Sequence, residues 1–135
     1  MVNMDISDTL ISFETAKLAK EKGFIIPTLC YFRYDEKQCK GSLLDWNEDV
    51  GFYSRPTQAL LAKWLREVHN IFVEVLLDQT SNPKFAVEIY QYTHFGNYDK
   101  VNQKDWSLYR TYEEALEVGL LNGLKLIKTA LKQLP

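Results

Sequence analysis

Cys30, Cys39, His69 and His94 are the complete set of soft metal ligands in this chain. A tetrahedral zinc site needs four, usually supplied as pairs about two to four residues apart so that one turn presents two ligands. None of these residues stands that close to another, so no zinc is expected. Asp45, Asn47 and Asp49 alternate like the first ligands of a calcium loop. The sixth position is Val50, where a glycine must turn sharply, and the twelfth is Pro56, where a bidentate glutamate must close the ring. A solvated acidic loop is the plainer expectation. The chain holds no G-x-S-x-G elbow, no phosphate-cradling glycine loop and no H-E-x-x-H pair. It therefore nominates no catalytic residue, no metal ligand and no cofactor. An active site assembled only in space stays open as a third reading.

Charge and aromatic placement suggest binding instead. Arg55, Lys63 and Arg66 lie on or near the exposed side of a helix, with Lys17 and Lys20 on an earlier one. Tyr31, Tyr90 and Tyr92 fall on strands, where aromatic faces can stack on bases. Against nucleic acid stand a net charge of −2 and the absence of an RNP-type pattern. Arg55, Lys63, Arg66, Tyr90 and Tyr92 are thus surface candidates, with nucleic acid the alternative to a protein partner. Ala115, Gly119 and Gly123 recur at four-residue spacing and form a small-residue groove. Such a groove either seats the helix on its own sheet or forms a dimer seam.

The elements that must position these residues are legible from periodicity and punctuation. Ser12 to Lys22 reads as a helix with a polar cap, and Gly23-Phe24 as its left-handed exit. Thr28 to Tyr34 is rich in aromatic and β-branched residues and follows Pro27, which predicts a strand; Asp35 to Lys40 predicts a turn. Gly41 to Tyr53 is ambiguous between a short strand and an acidic loop. From Pro56 to His69, Leu60, Leu61, Trp64, Leu65 and Val68 form one apolar stripe, opposite Gln58, Lys63, Arg66 and Glu67. Ser54 or Thr57 can cap this helix, and Asn70 can take the left-handed exit. His69 closes it, where the dipole favours a proton.

Ile71, Val73, Val75 and Leu77 alternate on one face of a strand, and Phe85, Val87 and Ile89 on the next. The polar turn from Asp78 to Pro83 makes the two a hairpin. His94 to Lys104 reads as loop, and Trp106 to Arg110 as a returning edge strand. Thr111 and Glu114 have capping-box spacing and open a helix from Tyr112 to Leu134, acidic at its start and basic at its end. Its stripe is Leu116, Leu120, Leu124, Ile127, Leu131 and Leu134.

Three segments, I-S-F-E-T-A-K-L-A-K-E-K-G-F at 11–24, Y-S-R-P-T-Q-A-L-L-A-K-W-L-R-E-V-H-N-I at 53–71 and T-Y-E-E-A-L-E-V-G-L-L-N-G-L-K-L-I at 111–127, resemble a family of short uncharacterised proteins from Bacteroides-type gut bacteria and their phages or prophages. The resemblance covers the helices. It implies a bacterial cytoplasm, with a mobile element as context, and carries no activity or functional residue.

At 135 residues, 46% hydrophobic and 25% charged, the composition is that of an ordinary globular domain. No apolar run reaches the roughly 18 residues that suggest a membrane span. The first residues have neither the basic nor the apolar region of a leader. With two cysteines and no disulfide framework, a cytoplasmic location with reduced thiols is expected. The expected fold is α+β: residues 1–135 form one domain, with 1–11 as an N-terminal arm. Its small antiparallel sheet of three to five strands carries three helices mainly on one face, in the order α-β-(β)-α-β-β-(β)-α. The function expected is non-enzymatic binding of a protein or a second copy of the chain.

Overall fold

Three hydroxyl side chains start the three helices. In the computed structural model, which describes residues 9–78, 84–92, 98–100 and 108–128, these are Ser12, Thr57 and Thr111. Each accepts from an amide that has no intrahelical partner: Thr15 at 3.3 Å, Leu60 at 3.1 Å and Glu114 at 3.0 Å. Helix α1 spans Phe13–Glu21 and ends in a Schellman motif. Gly23 has φ of 94°, its amide reaches the Lys20 carbonyl at 3.2 Å, and the Phe24 amide reaches Ala19 at 3.0 Å. The turn delivers the Phe24 ring into the core, edge-on to Trp64 at 5.3 Å.

Strand β1 (Thr28–Arg33) pairs antiparallel with β2 (Gln38–Leu44) on one edge and with β3 (Phe52–Ser54) on the other. The expected turn is therefore shorter, since Gln38 to Lys40 already pair with Phe32, Tyr31 and Cys30. A bulge sets in between Thr28↔Leu44 and Cys30↔Lys40. The acidic stretch folds as a 3₁₀ turn, Trp46–Glu48, capped by Asp45. Its indole stacks on Tyr31 with centroids 3.9 Å apart and donates to the Thr28 carbonyl at 2.8 Å. A Cβ at Gly41 would stand 3.0 Å from that indole, so glycine there leaves room for the stack.

Helix α2 is Gln58–His69, and Asn70 leaves it at φ 57° and ψ 34°, the expected left-handed exit. Strand β4 (Ile71–Asp78) follows at once and pairs with β5 (Lys84–Tyr92) in unbroken register from Ile71↔Gln91 to Asp78↔Lys84. A short β6 (Tyr98–Lys100) joins the far side of β5. Tyr109 makes an isolated bridge to Phe85, so within the described part of the expected edge strand only this bridge remains. Helix α3 is Tyr112–Lys125. Its end tightens into i→i+3 bonds at Leu126 and Ile127, and the Lys22 ammonium caps the Ile127 carbonyl. The expected continuation through Leu131, Lys132 and Leu134 lies outside the described residues, as does the hairpin turn at 79–83.

The architecture is α+β with the expected order of elements, but the strands divide into two antiparallel sheets, β2-β1-β3 and β4-β5-β6. β1 has both edges taken by β2 and β3, and the β4–β5 hairpin pairs onward with β6 instead. Helix α1 rests on the first sheet, with Phe13 edge-on to Phe32 and Tyr53. Helix α3 lies on the second sheet and touches both α1 and α2. Ile11, Leu61, Leu65, Leu120 and Leu124 are fully buried where these layers meet.

Three expectations are corrected by packing. Gln58 is 4% exposed, not on the outer face of α2, and Val68 is 57% exposed, outside the buried stripe. Leu77 is half exposed because β4 runs on past the start of α3. Before α1, Leu10 bridges Thr57, and the Ile11 amide donates to the Pro56 carbonyl at 3.2 Å.

Candidate functional site

Helices α2 and α3 begin side by side, and Gln58 bridges their first turns. Its amide donates to the Glu113 carbonyl at 2.9 Å and to the Glu117 carboxylate at 3.0 Å. The other oxygen of Glu117 accepts from the Ser12 amide at 3.0 Å and from the Thr15 hydroxyl. One carboxylate thereby joins the starts of all three helices. Over this network lies a cleft of about 340 Å³ lined by Ser12, Arg55, Gln58, Glu113, Glu114 and Glu117 among others.

On the other side of Gln58 and Glu113 lies a groove of about 500 Å³. Its floor is Ala62, Val73 and Leu116, and Ala59, Arg66 and Tyr112 stand on its exposed rim. Arg66 and Tyr112 are both exposed, the latter by 48%. The two hollows share Gln58 and Glu113 and lie on either side of the hydrogen bond between them, at the junction of α2 and α3. The groove carries Arg66 on its rim, and the cleft is lined by Glu113, Glu114 and Glu117 together with Arg55. No buried side-chain polar atom among the described residues lacks a partner, so what the two hollows offer to a ligand is their floor and rim.

The surface candidates do not form one face. Arg55 turns inward: its Nε donates to the Ile11 carbonyl at 2.8 Å, a terminal nitrogen donates to Gln38 at 3.1 Å, and the guanidinium covers the Phe32 ring at 4.6 Å. Burial holds its pKa below the ordinary guanidinium value, with Cys30 and Glu117 opposing that shift. Lys20 is also engaged, donating to the Asp49 and Phe52 carbonyls. Lys63 and Arg66 remain exposed one turn apart on α2.

Tyr90 and Tyr92 lie on the face of β5 opposite the one under α3; Tyr90 is in register with Phe72 and beside the directly paired Glu74 and Glu88, and Tyr92 is in register with Tyr98. The Tyr90 hydroxyl donates to Glu88, and that bond, with burial and the nearby carboxylates, raises its pKa. Tyr31 is raised as well, first by desolvation and then by Cys39 beside it. The helix cations and the strand tyrosines are thus separated by the second sheet.

The small-residue groove is filled from within. A Cβ at Gly119 would fall 2.5 Å from methyls of Val73 and Val87, and at Gly123 it would touch Ile71, Leu65 and Val73 at 3.4 Å. Ala115 is fully buried beside them. The stripe seats α3 on its own sheet, the first of its two expected readings.

Register places Cys30 opposite Lys40 and Cys39 opposite Tyr31, so the two thiols project to opposite faces. His69 packs edge-on to Trp64 at 4.7 Å. Burial lowers its pKa, so the proton expected from the dipole is disfavoured. His94 lies outside the described residues. Asp45 and Asn47 spend their side chains locally: Asp45 caps the Asn47 amide, while Asn47 bridges the Phe24 carbonyl and the Ser54 amide at 2.8 Å each.

Sequence reasoning missed Gln58, Glu117, Ala59 and Tyr112. Gln58 and Glu117 were visible only as surface or dipole-matching residues, because their partners are far away in the chain. No family model matches this chain, and neither the curated proteins nor the solved structures offer a significant match.

Proposed function

We propose that this chain is a non-enzymatic binding domain that engages a protein partner through the groove between α2 and α3. The observation that carries this reading is the groove of about 500 Å³, with an apolar floor and an exposed arginine and tyrosine on its rim. Buried apolar contact supplies affinity, and a few charged or aromatic rim groups supply orientation. The resemblance to proteins of bacteria and their phages makes a host or phage component the natural partner class. Among the described residues no helix is long and apolar enough to cross a membrane.

The test is capture from a native lysate with the tagged chain, followed by size-exclusion chromatography with light scattering on the purified complex. A discrete complex or a defined homo-oligomer supports the proposal. A strict monomer that captures nothing overturns it.

Nucleic acid is the second reading, favoured by the exposed pair Lys63 and Arg66. Glu74 and Glu88 beside the strand tyrosines work against phosphate on that face. A mobility shift that weakens steeply with added salt would establish it, because phosphate contacts release counterions. No shift at low salt removes it.

A further inference from the structure

We draw no further inference here: the strongest candidate, the outer edge of β4, which pairs with no other strand among the described residues and carries the exposed Leu76 and Leu77, has nothing in the structure to show what covers it.

Discussion

The Glu117 carboxylate accepts from Ser12, Thr15 and Gln58, donors that belong to the other two helices. Two of those partners, Thr15 and Gln58, are buried, so their donors have no water to turn to. Glu117→Ala is therefore expected to cost about 2–3 kcal/mol, read as a lower urea midpoint with an unchanged slope. Thr15→Val should cost about 1 kcal/mol, and the double variant less than the sum, because both changes remove one shared bond.

His69 gives a pH dependence of definite sign. Burial lowers its folded pKa below the ordinary 6.5. Between the two values the unfolded chain holds more protons, so stability falls as pH drops from above 6.5 through the folded value. Below that value the full penalty remains. Thermal melts across this window should show the slope in the native chain and a flatter one in His69→Gln.

At the scale of elements, two glycines on α3 make opposite predictions. Alanine has about 1 kcal/mol more helix propensity than glycine, which favours either replacement. At Gly119 the new methyl would meet Val73 and Val87 at 2.5 Å, and β-branched side chains on paired strands have few rotamers into which to retreat. Overpacking of that kind costs about 1–3 kcal/mol, so Gly119→Ala should be destabilising. At Gly123 the contacts are an ordinary 3.4 Å. Gly123→Ala should gain about 0.5–1 kcal/mol. Chemical denaturation of the pair decides the matter, and equal effects would contradict the seating of α3 described above.

At the scale of the whole molecule, the two sheets share no strand, and their connection runs through the helices. Trp46 reports on the first sheet, while Trp64 lies in the core beneath α2. Because α3 packs on the second sheet and also on α1 and α2, the two halves are expected to unfold together. Fluorescence and far-UV circular dichroism should then give coincident denaturation midpoints. Two separated transitions would mean that each sheet folds as its own unit.

The starts of the three helices, the exits of α1 and α2, the β4–β5 hairpin and the α+β order are legible in the sequence alone. Caps such as Ser12, Thr57 and Thr111, the exits at Gly23 and Asn70, and the alternation of Ile71, Val73 and Val75 act over a few residues, so their physics is written locally. Only the tertiary structure decided that the strands form two sheets, that Arg55 and Gln58 turn inward, and that the glycine groove is filled. It also brought Thr57–Arg66 beside Thr111–Leu116, segments far apart in the chain that together line the groove and the cleft. Burial and partnership of this kind depend on which distant element arrives, and no local pattern records that arrival.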